Sequence, residues 1–287
     1  MTRAVGRASV ILTTYEQPRA LDLVLRGYAR QTRPDAEIVV ADDGSGPETR
    51  AVIARAREAG LDVVHVWHED RGFRKTEILN RAVLRATGDY LIFSDGDCVP
   101  REDFVELHCA LARPGRFLSG GYLKLPRALS ETLTPEDVES GRVFDAAWLR
   151  ARGWRPGRRR WRLTRRPGLA RALDALTPTR ATWNGHNAST WREAIEGVNG
   201  FDMDMGYGGL DRALGERLVN AGLRGLQIRH RAPVLHLWHP RPYRSPEGMA
   251  ANRALRARIR REGIVRARVG LAELRADAAS PGGEVAP

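Results

Sequence analysis

The sequence predicts an α/β fold: a mostly parallel central sheet flanked by helices. Three observations predict it. Short apolar, β-branched runs alternate with segments of helical spacing through the first hundred residues. The second and third of those helical segments stop at a glycine, Gly60 and Gly88. Acidic pairs, Asp42-Asp43 and Asp95 with Asp97, stand just past two of the apolar runs. Strands joined by helices of ten or more residues imply right-handed crossovers and a parallel sheet. In such sheets ligands bind beyond the carboxyl ends of the strands, where both acidic pairs fall.

The elements follow in order. Ser9–Thr13 reads as the first strand. Pro18 can open a helix, and Leu21, Val24, Leu25, Tyr28 and Ala29 then recur at helical spacing. Glu37–Ala41 is a second buried-type strand, closed by Asp42-Asp43-Gly44-Ser45. Thr49–Ala59 reads as helix and Asp62–Trp67 as a third strand. Ile78, Leu79, Ala82, Val83 and Ala86 mark the next helix. Tyr90–Phe93 is a fourth strand, closed by Ser94-Asp95-Gly96-Asp97.

The second half is less regular. Phe117–Leu125 is a candidate strand, and Thr182–Thr190 is polar and loop-like. Arg192–Val198 and Asp211–Ala221 read as helices, Pro233–Trp238 as a strand. The expected organisation is one domain over 1–244, with an arginine-rich insertion at 150–171. A helical, partly disordered tail is expected over 245–287. No internal repeat is visible.

The chain has 287 residues, enough for one large α/β domain with a full core. No run of 18 apolar residues occurs, so no membrane-spanning helix is expected. The first residues lack the apolar stretch of a secretion signal, so the expected compartment is the cytoplasm. Cys98 and Cys109 are expected to be buried free thiols. The formal net charge is +12, and residues 150–171 hold ten arginines and no acid. The rest of the chain is therefore close to neutral.

Asp95-Gly96-Asp97 is the first candidate site. Two carboxylates one residue apart at a buried strand end cannot both ionise cheaply without a cation. A divalent metal, Mn²⁺ or Mg²⁺, removes the repulsion and can bridge to diphosphate oxygens. The competing reading is a tight acidic turn.

Four stretches set this triplet in context. The first is Ser9-Val10-Ile11-Leu12-Thr13-Thr14-Tyr15, followed by Val39-Val40-Ala41-Asp42-Asp43-Gly44-Ser45. The second is Gly72-Phe73-Arg74-Lys75 with Asn80-Arg81-Ala82. The third is Tyr90-Leu91-Ile92-Phe93-Ser94-Asp95-Gly96-Asp97-Cys98. The fourth is Gly200-Phe201-Asp202 leading into Tyr207-Gly208-Gly209-Leu210-Asp211. In this order the chain resembles family 2 glycosyltransferases, from about Ser9 to His239, with a C-terminal portion similar to galactosyltransferase-type members.

The resemblance implies the GT-A fold and inverting transfer from a nucleotide-diphosphate sugar, a UDP-sugar by expectation. It implies a hydroxyl acceptor on a glycan or lipid-linked glycan, in cell-surface polysaccharide or lipopolysaccharide synthesis. By position, Asp42 or Asp43 is expected to contact the nucleobase and ribose, with Thr13 and Tyr15 nearby. Carboxylates suit the donors on uracil and ribose. Asp95 and Asp97 are expected to hold the metal, joined by His236 or His239. On a strand, residues three apart face opposite ways, so either one histidine binds or the strand ends between them.

Asp211 is the expected catalytic base, since inverting transfer needs a carboxylate to take the acceptor proton. Gly208 and Gly209 are expected to let backbone approach the acceptor. Leu210 departs from the pattern, which carries an acid there. In Thr182–Ser189, His186 and Asn187 are candidates for the donor sugar, and Trp183 for stacking on the acceptor. Arg74 and Lys75 are candidates for the diphosphate.

In 150–171, Trp154 and Trp161 lie among the arginines. That combination suits an anionic membrane surface, worth about 1 kcal/mol per basic residue near it, and would place the enzyme peripherally at the membrane's inner face. The competing reading is a solvated loop. No nucleic-acid-binding motif is present, so no nucleic acid partner is expected.

Two other functions compete. A nucleotidyltransferase would show a glycine-rich phosphate loop after the first strand, whereas Thr13-Thr14-Tyr15-Glu16-Gln17-Pro18 has no glycine. A non-catalytic polyanion-binding protein on a degenerate transferase fold is the other, encouraged by Leu210 and the arginine segment.

Overall fold

A computed structural model describes residues 3–240 and 246–279. The first half runs β1 (Ala8–Thr14), α1 (Pro18–Ala29), β2 (Glu37–Asp42), α2 (Pro47–Glu58), β3 (Val63–Trp67), α3 (Lys75–Arg85) and β4 (Tyr90–Asp95). Then come β5 (Cys98–Pro100), α4 (Phe104–Ala110), β6 (Arg116–Ser119) and β7 (Gly121–Lys124). Four short helices follow: α5 (Arg127–Thr132), α6 (Pro135–Glu139), α7 (Ala146–Ala151) and α8 (Pro167–Ala175). The chain continues with β8 (Asn187–Trp191), α9 (Arg192–Gly197), α10 (Leu210–Asn220), β9 (Arg224–Gln227) and β10 (Pro233–His236). It closes on α11 (Pro246–Glu262) and α12 (Leu271–Ala279).

Seven strands form one sheet in the order β3-β2-β1-β4-β8-β6-β9, and β5-β10-β7 form a small second sheet. The β3-β2-β1-β4 half is parallel, as the strand–helix alternation requires. β8 enters antiparallel between β4 and β6. In β1 successive residues serve opposite faces: Val10 and Leu12 join one core cluster, Ile11 the other. Both faces of the sheet are therefore covered, which is why its strands read as unbroken apolar runs. α1 begins at Pro18 and buries Leu21, Val24, Leu25 and Tyr28.

The structure departs from the sequence reading at three places. Thr182–Thr190 is not all loop, because its last four residues belong to buried strand β8. The strand's polar side chains find partners inside the protein. Ser189 Oγ meets the Tyr90 hydroxyl at 2.8 Å, and Thr190 Oγ1 donates to the Arg116 carbonyl at 3.1 Å. Hydrophobic patterning cannot see a strand satisfied in this way. Phe117–Leu125 is two strands in two sheets, broken at Gly120, where a Cβ would fall 1.8 Å from the Asn187 amide oxygen. The arginine segment has secondary structure of its own: a 3₁₀ turn at Gly157–Leu163 leads into α8, and Trp154 is buried in the core while most of the arginines stay exposed.

Tail helices α11 and α12 pack on the sheet's helical layer through buried Ile259 and Leu271. Among the described residues no helix is long and apolar enough to cross a membrane.

Candidate active site

The site lies at the carboxyl ends of β1, β2 and β4. Parallel register sets Thr13 beside Asp95 and Thr14 beside Asp42. A cleft there is lined by Thr13, Tyr15, Asp43, Phe73, Lys75, Asp95, Asp97, Tyr207 and His239, among others.

One end is aromatic and acidic. Phe73 and Tyr207 meet edge to face with centroids 5.6 Å apart. The Tyr15 hydroxyl donates to Asp70 at 2.9 Å. Asp43 is fixed from two sides: His68 Nε2 lies 2.7 Å from Oδ1, and the Arg74 backbone N–H donates to Oδ2 at 3.2 Å. Asp42 is fully buried, accepts from the Ser45 backbone N–H at 2.8 Å and meets His65 at 2.8 Å. Asp42 therefore closes the turn, and of the acidic pair Asp43 is the one that lines the cleft. The Arg74 guanidinium pairs with Glu77 at 3.1 Å and the Glu69 carbonyl, so it does not line the cleft either.

At the other end, the Gly96 N–H donates to the Thr13 carbonyl at 2.7 Å, and a Cβ on Gly96 would lie 2.9 Å from that oxygen. This tight turn presents both acids. Asp95 Oδ1 accepts from Thr13 Oγ1 at 2.6 Å and from Lys75 Nζ at 2.8 Å. Burial disfavours the Asp95 anion, but the Lys75 ammonium and these hydrogen bonds hold its carboxyl well below the usual range. Burial likewise opposes the Lys75 charge, and Asp95, Asp211 and Asp97 outweigh it, so Lys75 stays protonated.

Asp97 faces the two histidines. His239 Nε2 is 3.2 Å from Oδ2, and His236 Nε2 is 4.0 Å from Oδ1. β10 ends at His236, which settles the face problem, and the two rings stack at 5.4 Å. Each ring turns Nδ1 to a backbone carbonyl, His236 to Leu237 at 2.7 Å and His239 to Pro240 at 2.8 Å. A carbonyl only accepts, so Nδ1 donates in each contact and Nε2 is the ring nitrogen turned toward Asp97. Cys98 adds a buried thiol, its Sγ 3.4 Å from Asp97 Oδ1. Asp97, Cys98 and His236 each offer one ligand atom within 4.8 Å of the others. A carboxylate and two imidazoles form a donor set that can hold a divalent ion.

Asp211 sits in the first turn of α10. Its Oδ1 is buried without a hydrogen-bond partner. Burial, with Asp95 adding to it and Lys75 opposing, pushes its carboxyl up to about 6. Gly185 lies against it; a Cβ there would fall 2.3 Å from Oδ1. An ionised, orphaned carboxylate oxygen of this kind is suited to taking a proton. The neighbouring Leu210 is buried in the core.

Other expected contacts fall elsewhere. Trp183 is fully buried against Phe93 and Phe117, with ring centroids 5.4 and 5.9 Å away, so it cannot stack on a sugar. Asn187 is fully buried and donates to the Gly121 and Ala232 carbonyls at 2.9 and 2.7 Å. It braces β7 and does not contact a donor. The half-buried His186 stands edge-on to Tyr122 at 4.7 Å, and burial lowers it to about 4, so it is neutral near pH 7.

Gly208 and Gly209 adopt left-handed backbone, and the space beside them is taken by α11. Met249 lies 3.4 Å from a Cβ built on Gly208, and Arg256 lies 3.1 Å from one on Gly209. The two glycines thus admit a helix of the same chain. From that helix Asn252 Nδ2 lies within 3.1 Å of the carbonyls of Gly206, Tyr207 and Gly208. His68 and Asn252 escaped the sequence reading, since neither sits in a motif; a buried asparagine on a charged helix face was the available signal for the second.

Comparisons with known proteins agree with the fold. The family model described as Glycosyl transferase family 2 matches residues 9–117. The chain is 30% identical over 244 residues to a validoxylamine A glucosyltransferase of Streptomyces hygroscopicus subsp. jinggangensis, covering 77% of this chain and 53% of that protein. It therefore spans about half the length of that relative. Among solved structures, it superposes on mannosyltransferase PcManGT from Pyrobaculum calidifontis, in complex with GDP-Man and Mn²⁺, with a TM-score of 0.55. That match has 20% identity and covers 98% of this chain and 77% of the other. S. aureus TarS 1-349 in complex with UDP-GlcNAc gives 0.60 at 16% identity, covering 94% and 69%. The fold is accordingly that of the GT-A glycosyltransferases.

Proposed function

Residues 9–117 of this chain belong to glycosyl transferase family 2, and from that premise we propose an inverting, metal-assisted transfer of a sugar from a nucleoside-diphosphate donor to a glycan hydroxyl. The observation that carries this reading is one cleft lined by a nucleoside-side acid, Asp43, and by the metal-ready Asp97 and His239, with the buried, orphaned Asp211 carboxylate facing the charges of that cleft's Lys75 and Asp95. Asp43 would accept from nucleobase or ribose donors, with Phe73 and Tyr207 as apolar walls. A divalent ion held by Asp97, His236 and His239 would neutralise charge on the departing diphosphate. Lys75 sets a fixed positive charge beside Asp95 and Asp211, in a position to steady charge growing in the same cleft. Asp211 takes the acceptor hydroxyl's proton; with a carboxyl near 6 it is ionised at neutral pH and basic enough to hold that proton.

Uridine donors are the first to test, since the Asp43 carboxylate matches uracil N3–H. The assay is release of nucleoside diphosphate from a panel of sugar nucleotides, with Mn²⁺, with Mg²⁺ and with chelator. Metal-dependent release from one donor, lost in Asp97→Ala, is expected. Release unchanged by chelator or by Asp97→Ala would falsify the metal assignment, and no release from any donor would sink the transferase reading.

A further inference from the structure

The arginine segment holds a feature that the donor cleft does not explain. Arg150, Arg155 and Arg160 line a pocket with Trp154, Pro156 and Gly157. The three arginines are exposed, and Trp154 is buried as the apolar floor. Among the described residues, the carboxylate paired with any arginine of 150–171 is Glu102, on Arg165. Arg162 is turned inward to the Tyr122 carbonyl, crowded by Arg159 and Arg229, and burial with their charges lowers its basicity. A concavity lined by three arginines and no acid is positively charged. It suits an anion, and planar guanidinium forks match phosphate oxygens in bidentate fashion.

The pocket's place in the fold says which phosphate it would meet. Its floor, Trp154, reaches the Lys124 carbonyl at 3.5 Å, and Lys124 is the register partner of His236. Arg162 holds Tyr122 of the same strand, whose ring lies 5.5 Å from the His236 ring. The arginine segment thus braces β7, one strand away from the metal-ready histidine. The nucleoside end lies at β2, on the parallel half of the large sheet, whereas β7 belongs to the small sheet. The donor's own diphosphate already has Asp97 and the histidines.

We propose that the Arg150–Arg155–Arg160 pocket binds a phosphate or diphosphate group carried by the acceptor, which deepens and rests on the glycosyl-transfer reading. The acceptor is then an anionic, phosphate-bearing molecule, and the arginines set its register against Asp211.

The test uses the full chain and the triple variant Arg150→Ala/Arg155→Ala/Arg160→Ala, which removes exposed side chains and leaves the core intact. Inorganic pyrophosphate is titrated in metal-free buffer at constant ionic strength, and binding is read by calorimetry. Wild type is expected to bind, and the triple variant to bind at least about tenfold more weakly. Its metal-dependent hydrolysis of the sugar nucleotide should equal that of wild type. Two further arms separate the sources of the phosphate: vesicles containing a diphosphate-headed lipid, and a soluble sugar phosphate. Arginine-dependent binding in either arm supports the site and identifies the carrier. Equal pyrophosphate affinity in wild type and variant overturns the proposal, as does equal displacement by chloride. If hydrolysis is absent in both proteins while arginine-dependent binding persists, the transfer reading fails and the anion site stands.

Discussion

Replacing Asp211 by asparagine should make the protein more stable while disabling it. The folded environment raises this carboxyl from 3.8 to about 6. At about 1.4 kcal/mol per tenfold change in ionisation constant, keeping Asp211 charged costs about 3 kcal/mol relative to the unfolded chain. The sign follows from proton linkage. An acid with a raised folded value binds its proton more tightly in the folded state, so its contribution is favourable at low pH and lost as pH rises through about 6. Asparagine has the same shape and no charge to lose. The variant should therefore gain on wild type from about pH 4 upward and level off above about pH 7, by about 3 kcal/mol in all, about half of it between pH 5 and 8. Urea unfolding of both proteins at several pH values measures the difference. Transfer should fall by about 10²–10⁴-fold, the usual worth of a positioned base. A variant less stable than wild type at pH 8, or a pH-independent difference, would refute the burial argument. Full activity in the variant would refute the base assignment.

Three further outcomes follow from the same geometry. In wild type, kcat/KM should decline as pH falls below about 6, because the base is then protonated; a rate flat from pH 5 to 8 would remove Asp211 from the chemistry. Gly185→Ala should cost about 1–3 kcal/mol in urea unfolding and lower kcat in the protein that remains folded, since a Cβ would lie 2.3 Å from Asp211 Oδ1; unchanged kcat would show that the carboxylate position is not critical. Trp183→Ala should cost about 3–5 kcal/mol in urea unfolding, as expected for a fully buried ring, and Trp183→Phe should keep the acceptor KM near wild type; a large rise in KM in a stable Trp183→Phe protein would restore the stacking role.

The parallel half of the fold was legible because its signals are local. Each strand of β1, β2 and β4 is an unbroken apolar run, and the acids that end them share a rim by topology alone. Thr13, Asp43, Asp95 and Asp97 line one cleft for that reason, joined by Lys75 from the start of α3. The second half was harder to read because long-range pairing decides it. β8 is polar in composition and apolar in surroundings, since its side chains bond to β4, β6 and β7. No spacing rule reveals that Asn187 turns to carbonyls 66 and 45 positions away. Trp183 and Asn187 carried sugar-binding residue types, but burial gave them to the core. Asp42 and Asp43 were indistinguishable as a pair of letters, and only the Ser45 and His65 contacts separate them.

The Asn252 amide that spans three successive carbonyls has a consequence for how the enzyme is dissected. The peptide carrying Tyr207 and leading to Asp211 is held from behind by a segment that lies after the last sheet strand in the chain. A version cut after His239 would retain every described strand and every acid of the candidate site, yet the proposed base would hang on an unbraced glycine turn. Such a protein would be expected to grip sugar nucleotide and transfer nothing, which makes the C-terminal helix a separable handle on turnover.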